Sequence, residues 1–255
     1  MISPKSVFVT GANRGIGLEF VKQLIKLPTP PKYVFAGCRN PDTSKDLQTV
    51  AESNDSVKIV QLDVTDQATV DEAYKTVQST VKDEGLTLLI NNAVHANLVE
   101  LPDVTRDMMK INFDVNTIGP LMMVKTFLPL LQQASNQQSD LEMSCSRSAI
   151  INISSDSGSI SDNYDGIYHG GLYPYKASKA ALNMITSCLS LDLKKDGILC
   201  SAIHPGWVIT ETGGPNAEIS TETCLQYCME ALELMKGEKW SGILYDCINK
   251  KIMGW

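Results

Sequence analysis

Tyr175 and Lys179 form a pair whose residue types and spacing could support acid–base chemistry. Among eight tyrosines, Tyr175 is the only one followed by a lysine four residues later. Residues four apart share one face of a helix, so the lysine ammonium can approach the phenol. A nearby cation moves the pKa of a phenol down from about 10, towards the range that suits proton transfer. A core tyrosine beside an exposed lysine is the alternative for an isolated pair of this kind.

The glycine-rich segment 10–17 is a candidate phosphate site. It reads T-G-A-N-R-G-I-G and follows the first predicted strand. Glycines allow the chain to turn sharply, and they let a pyrophosphate approach the backbone N–H groups that open the next helix. A tight strand-to-helix connection is the alternative. The position directly after the first strand favours a dinucleotide site.

Charges near the second predicted strand indicate which dinucleotide binds. Proteins that bind NAD place an acidic residue just after this strand, whereas the 2'-phosphate of NADP needs cations. Cys38 occupies the acidic position, Arg39 follows it, and Arg14 lies in the glycine turn. Two guanidinium groups can clamp one phosphate, and Asp42 comes too late in the chain to replace the acid. The sequence therefore predicts NADP as the cofactor.

The elements that must position these residues alternate between short aliphatic runs and longer helical patterns, as in repeated βαβ units. A first helix is predicted to stop at Pro28, and others begin near Gln67, Asn116, Tyr173 and Ala217. Seven strands are predicted at residues 6–10, 33–37, 57–62, 87–91, 149–154, 199–204 and 243–246. The prediction is a single domain over residues 1–255. Its fold class is α/β, a Rossmann-like doubly wound, mostly parallel seven-stranded sheet with helices on both faces.

Two segments are predicted to be irregular. Residues 132–147 are rich in serine, asparagine and glutamine, and residues 156–171 are rich in glycine and aspartate. The second segment stands where a substrate loop would be useful.

Composition and charge exclude several classes of partner. The chain has 255 residues and a formal net charge of -7, which argues against a nucleic-acid partner because such binding needs a clustered cationic face. No apolar run approaches the roughly 20 residues that span a bilayer, and no signal-peptide pattern opens the sequence. The seven cysteines form no C-x-x-C pair. We expect reduced, packed thiols in a cytoplasmic protein without a metal site or a membrane partner.

Together these motifs resemble the short-chain dehydrogenase/reductase family. The glycine segment matches T-G-x-x-x-G-x-G, residues 175–179 match Y-x-x-x-K, and the resemblance extends over essentially the whole chain. Ser155 would hold the substrate carbonyl, with Ser154 as the alternative. Asn116 is chosen over Asn112 because Asn-x-x-Gly opens the long central helix, where its amide could hold a water that passes protons to the lysine. The resemblance thus implies four catalytic residues, Asn116, Ser155, Tyr175 and Lys179.

The same resemblance implies the residues around the cofactor. Asp63 would meet the adenine, and the segment 205–210, which matches P-G-x-x-x-T, would bring the Val208 backbone and Thr210 to the nicotinamide. The implied cofactor-binding residues are Gly11, Asn13, Arg14, Gly15, Ile16, Gly17, Arg39, Asp63, Val64, Asn92, Lys179, Val208 and Thr210.

Val94 departs from the family pattern, because residues 91–94 read N-N-A-V where the family has N-N-A-G. If this position needs a positive φ, a β-branched residue would be strained by about 1 to 3 kcal/mol. Either the loop has shifted or cofactor binding is weakened. The departure supports a rival interpretation, a cofactor-binding sensor that has lost turnover.

The implied activity is NADPH-dependent reduction of a ketone, aldehyde or quinone to an alcohol. Tyr175 would donate the proton, Ser155 would hold the developing oxyanion, and Lys179 would orient the ribose. The segment that begins P-G-W-V is similar to carbonyl reductases of the family.

An apolar substrate pocket is expected from Trp207, Tyr168, Leu98 and methionine or leucine side chains near the last helix. A steroid or a pteridine is the alternative substrate. The resemblance also implies a homodimer that pairs through the helices beginning near Asn116 and Tyr173, with a monomer as the alternative.

Overall fold

The structure is a computed structural model, and it describes residues 1–164 and 171–255. Eight strands in these residues form one sheet in the order β3-β2-β1-β4-β5-β6-β7-β8. Neighbouring strands from β3 to β7 are parallel, and β8 pairs antiparallel with β7. The strands are β1 Ser6–Thr10, β2 Tyr33–Cys38, β3 Val57–Gln61, β4 Leu88–Asn91, β5 Ala149–Ile153, β6 Leu199–His204, β7 Leu244–Asp246 and β8 Lys251–Met253.

The predicted doubly wound fold is confirmed, but the predicted count of seven strands is wrong. β1 and β6 have the predicted bounds, and the ends of β2 to β5 and β7 differ by one residue. The missed strand, β8, has only three residues, and two of them are exposed. So short a segment offers no apolar run or alternation that a sequence pattern can detect.

Helices cover both faces of the sheet. They are α1 Gly15–Leu24, α2 Lys45–Glu52, α3 Gln67–Val81, α4 Arg106–Phe113, α5 Gly119–Gln137, α6 Tyr173–Asp192 and α7 Thr221–Leu234. One apolar cluster joins α1, α2 and α7 to the sheet, and a second cluster joins α3 and α5 to the opposite face. Among the described residues, no helix combines the length and the apolar character needed to cross a membrane.

Several helix boundaries differ from the prediction. The helix expected near Asn116 begins earlier, at Arg106, where the Thr105 hydroxyl accepts a hydrogen bond from the Met108 N–H at 3.2 Å. A π-helical turn, Asp114–Ile118, then joins α4 to α5. Residues 132–137 belong to α5, so the prediction of an irregular segment from 132 is wrong there. α1 ends at Leu24, before Pro28, and α7 begins at Thr221, four residues after the predicted start.

The order of the strands determines where a ligand can bind. The chain runs outwards through β1, β2 and β3, then returns to the other side of β1 with β4. The loops that follow β1 and β4 therefore diverge at the carboxyl ends of these two strands. They open a crevice there, which is the usual position of a ligand in such sheets.

Candidate active site

A cavity of about 900 Å³ lies at the carboxyl ends of β1, β4, β5 and β6. Every predicted cofactor-binding residue except Gly17 lines it, as do Ser155, Tyr175 and Lys179. The structure therefore brings together residues that stand far apart in the sequence. This crevice is the candidate active site.

The glycine turn at one end of the cavity leads directly into α1. Gly11 has φ 65°, a conformation that side chains with a Cβ rarely adopt. Gly17 does not line the cavity. Glycine is required at this position because a Cβ would collide with the Gly11 carbonyl oxygen. The Asn92 amide donates to the Thr10 carbonyl at 2.9 Å and so ties β4 to the turn. The turn leaves the N–H groups at the start of α1 available to a phosphate.

Cations border the part of the cavity next to β2. Arg14 and Arg39 both line it, and Asp42 lies outside its lining in a short 3-10 turn. The Arg14 Nη1 is 2.7 Å from the Glu211 carboxylate, and both side chains are more than half exposed. Asp63 follows β3, and its carboxylate accepts from the Thr65 N–H at 2.9 Å and hydroxyl at 2.7 Å.

Two serines follow β5, and their hydrogen bonds assign them different roles. The Ser154 hydroxyl donates to the Asn183 side chain on α6 at 2.6 Å, and this bond is buried. Ser155 forms a side-chain hydrogen bond with the Tyr175 phenol. The geometry therefore favours Ser155 over Ser154 as the serine that faces a substrate.

Lys179 lies one helical turn after Tyr175 on α6 and is buried. Its Nζ donates to the Ile153 carbonyl at 2.6 Å and lies 5.8 Å from the centre of the Tyr175 ring. Burial disfavours the ammonium form and lowers the pKa of Lys179 to about 7.

The pKa of the Tyr175 phenol differs from the value expected from its spacing to Lys179. Burial, and secondarily the negative charge of Asp156, raise the pKa of Tyr175 to about 12, while the hydrogen bond with Ser155 acts in the opposite direction. The predicted lowering by Lys179 is therefore wrong for this arrangement. Desolvation of the phenol raises its pKa by more than Lys179 lowers it, because burial also disfavours the positive charge on Lys179. The phenol carries its proton at neutral pH.

Asn116 lies in the π-helical turn and is fully buried, outside the cavity lining. Its amide accepts from the His95 N–H at 2.9 Å and donates to the His95 carbonyl at 2.7 Å and to the Ser178 hydroxyl at 2.9 Å. Both amide hydrogens are thus engaged. Asn112 instead binds Asn97 and the Met108 carbonyl. The observed geometry makes Asn116 a support for the loop after β4, and its part in proton transfer stays a prediction.

Val94 lines the cavity and does not belong to the residues with positive φ. The condition for backbone strain is therefore not met, and valine is compatible with this loop. This result could not be predicted from the motif, because the motif alone does not fix the backbone angle of its fourth residue.

Part of the cavity lining is apolar, and it includes two of the residues expected to form an apolar pocket. Leu98 and Trp207 line the cavity, and the Trp207 indole N–H donates to the Gly213 carbonyl at 2.8 Å. Tyr168 lies outside the described residues, and no leucine or methionine of α7 is among the described residues that line the cavity. Sequence reasoning missed several lining residues, namely His95, Ile111, Val115, Asp156, Leu172 and His204. For Asp156, its place beside Ser155 was a usable signal.

Comparisons with known proteins agree with this geometry. The short-chain dehydrogenase family matches residues 5–219. An uncharacterised oxidoreductase of Schizosaccharomyces pombe is 31% identical over 220 residues, which cover 86% of this chain and 79% of the relative.

Two solved structures are similar over almost their whole length. The NADPH-bound carbonyl reductase from chicken fatty liver has 40% identity and a TM-score of 0.93, with 100% of both chains covered. The carbonyl reductase Sniffer of Drosophila melanogaster has 35% identity and a TM-score of 0.94, with 99% of this chain and 100% of that chain covered.

The burial of Lys179 predicts a stability that depends on pH. Below pH 7 Lys179 is charged in both the folded and the unfolded chain, so its burial lowers the free energy of unfolding. Between pH 7 and 10.5 the unfolded chain binds more protons than the folded one, so the free energy of unfolding rises with pH. We expect Lys179→Met to be more stable than the wild type at pH 6 by roughly 1 to 3 kcal/mol, with a smaller gain at pH 9.

Urea unfolding at the two pH values measures this difference. Lys125→Met, which changes an exposed lysine of α5, is the matched control and should show little dependence on pH. An equal gain at both pH values would contradict the lowered pKa of Lys179.

Proposed function

This chain belongs to the short-chain dehydrogenase family, and we propose that it is an NADP-dependent carbonyl reductase. The observation that carries the proposal is the meeting of Ser155, Tyr175 and Lys179 at one wall of the cavity, with a phenol that keeps its proton at neutral pH. A reductase needs such a donor, because the carbonyl oxygen gains a proton as hydride adds to the carbon. The similar chicken enzyme carries NADPH.

The residues present in the cavity fit NADP. The glycine turn and the start of α1 offer backbone N–H groups to the pyrophosphate, and Arg14 and Arg39 offer guanidinium groups to the 2'-phosphate. Cys38 leaves the position of the ribose-binding acid uncharged. When bound, the nicotinamide supplies the hydride.

Tyr175 and Ser155 would act together on the substrate oxygen. The phenol donates its proton to that oxygen, and the Ser155 hydroxyl donates a hydrogen bond that stabilises the developing negative charge. Lys179 would hold the cofactor ribose from α6, because its ammonium is fixed beside the end of β5. Asn116 would support the loop that carries His95, another residue that lines the cavity.

The substrate is proposed to be an apolar ketone, aldehyde or quinone. The proposal is supported by apolar side chains that line the cavity, namely Leu98, Ile111, Val115, Leu172 and Trp207. A non-catalytic sensor was suggested only by Val94, and its backbone gives that alternative no support.

We also propose that two copies pair through α5 and α6. Both helices expose apolar side chains, Leu121 on α5 and Met184 and Leu191 on α6. A pair of such faces would remove this apolar surface from water.

Tyr175→Phe tests the proposed donor. The ring keeps its shape but has no proton to give, so kcat for NADPH-dependent reduction of a panel of apolar carbonyls should fall by about 100-fold or more while the Kd for NADPH stays within about twofold. Tyr173→Phe is the matched control, since this tyrosine lies two residues earlier on α6 and is 43% exposed. Retained turnover in Tyr175→Phe would remove Tyr175 from its role.

Arg39→Asp tests the cofactor assignment. The change removes a phosphate partner and places a carboxylate where it can accept from the ribose, so the ratio of kcat/KM with NADPH to that with NADH should fall by about 100-fold. Lys45→Asp makes the same change of charge at an exposed residue outside the cavity lining and should leave the ratio unaltered. An unaltered ratio in Arg39→Asp would show that Arg39 faces only solvent.

A further inference from the structure

The His95 side chain lines the cavity, and it has no part in the mechanism so far. Its ring nitrogen Nε2 lies 3.1 Å from the Asn97 Oδ1 in the same loop. We propose that His95 is a specificity-determining residue whose other ring nitrogen, Nδ1, accepts a hydrogen bond from a hydroxyl group of the substrate. The inference rests on the proposed function, because it names the preferred class of carbonyl compound: an apolar ketone or aldehyde that carries a hydroxyl group.

The position of the hydrogen on the neutral His95 ring follows from a chain of hydrogen bonds that begins at a backbone carbonyl. The Met108 carbonyl can only accept, so the Asn112 side-chain atom 2.8 Å away must be the amide nitrogen. The same nitrogen lies 2.7 Å from the Asn97 side chain, so the Asn97 atom there must be the oxygen. The Asn112 oxygen accepts from the Asn97 backbone N–H at 3.4 Å, which agrees with this orientation. The Asn97 oxygen can only accept, so the His95 Nε2 must carry the hydrogen.

The His95 Nδ1 therefore has a lone pair and no hydrogen, so it can accept a hydrogen bond but cannot donate one. It has no hydrogen-bond partner among the described residues, and it does not belong to the buried atoms that lack a partner. It thus keeps contact with solvent, and His95 borders the open space of the cavity. In a cavity lined partly by apolar side chains, a few polar groups of this kind fix the orientation of a ligand. A hydroxyl group can donate to Nδ1, whereas a carbonyl or ether oxygen cannot.

Hydrogen bonds also tie the His95 backbone to the helix that carries Tyr175. The Asn116 amide accepts from the His95 N–H at 2.9 Å and donates to the His95 carbonyl at 2.7 Å. The same amide donates to the Ser178 hydroxyl at 2.9 Å, and that hydroxyl donates to the Tyr175 carbonyl at 2.7 Å. One buried side chain therefore joins the loop of the acceptor to the helix of the proton donor. A substrate hydroxyl bound to Nδ1 would restrict how the substrate carbonyl meets the phenol.

His95→Phe tests the proposal, because phenylalanine keeps a planar ring without an acceptor. Asn116 binds only backbone atoms of His95, so the change leaves those bonds in place. The substrates are acetophenones with a hydroxymethyl group at the ortho, meta or para ring position, each paired with its methoxymethyl ether, which has no hydrogen to donate. At the best-matched position, the wild-type kcat/KM with NADPH should be about fivefold to tenfold higher for the alcohol than for the ether. This ratio should fall to about one in His95→Phe.

His95→Asn is the matched variant, because its side-chain oxygen can replace Nδ1 as an acceptor, and it should keep a preference for the alcohol. Acetophenone without a ring substituent is the control substrate. Its kcat/KM should agree within about threefold in all three proteins, since it has no hydroxyl group for His95 to bind. A preference that arises from the size of the ether alone would survive in His95→Phe. Equal ratios in the wild type and His95→Phe at every ring position would therefore overturn the role of His95.

The position of the ring hydrogen can be measured without turnover. In protein with ¹⁵N-labelled histidine, the neutral His95 ring, assigned by the loss of its signals in His95→Phe, should carry hydrogen on Nε2 and none on Nδ1. A hydrogen on Nδ1 would overturn the proposal. Absence of NADPH-dependent reduction by the wild type would instead overturn the proposed function. The ring spectrum, and calorimetric binding of each alcohol and its ether to the wild type and His95→Phe, would then still test His95.

Discussion

Helix α6 is held against the carboxyl end of β5 by polar contacts from one helical face. Lys179, Asn183 and Thr186 are spaced four and three residues apart, so they share that face. They bind, in turn, the Ile153 carbonyl at 2.6 Å, the Ser154 hydroxyl at 2.6 Å and the Asn152 amide at 2.8 Å. Tyr175 occupies the same face one turn earlier. The position of the phenol beside Ser155 therefore depends on the hydrogen bonds that join this face to the buried strand β5 and to Ser154, which follows it.

This arrangement lowers the free energy of unfolding, but it also sets the protonation states of Lys179 and Tyr175. Burying the Lys179 ammonium in contact with a single carbonyl oxygen is unfavourable, which is why its pKa falls to about 7. The same desolvation raises the pKa of Tyr175 to about 12, and the ionised Asp156 adds to it. Desolvation thus favours the neutral forms of both residues. For a reductase the neutral phenol is the useful form, because it is the one that can donate.

The features of the fold and of the site that could be predicted from the sequence are those with a local pattern. Buried parallel strands appear as short apolar runs, and the glycine turn and the Y-x-x-x-K pair are local in the chain. The sequence could therefore locate β1 to β7 and the part of the cavity lining that belongs to these motifs. The three-residue β8 and the engagement of Asn116 with His95 depend on contacts between distant segments. The pKa of Tyr175 could not be predicted from spacing, because it is set mainly by burial, which only the assembled fold determines.

The kcat of Asn183→Leu measures whether the polar face of α6 positions Tyr175 for proton donation. This change removes the hydrogen bond that Asn183 accepts from the Ser154 hydroxyl at 2.6 Å and the one that it donates to the Gly158 carbonyl at 3.1 Å, and Asn183 itself does not line the cavity. If the polar face of α6 positions Tyr175, kcat for carbonyl reduction should fall by about tenfold or more with an unchanged Kd for NADPH, because small displacements of a catalytic group are costly. Met184→Leu, at the next and exposed position, should keep the wild-type kcat. A wild-type kcat in Asn183→Leu would show that the phenol keeps its position without this face of α6.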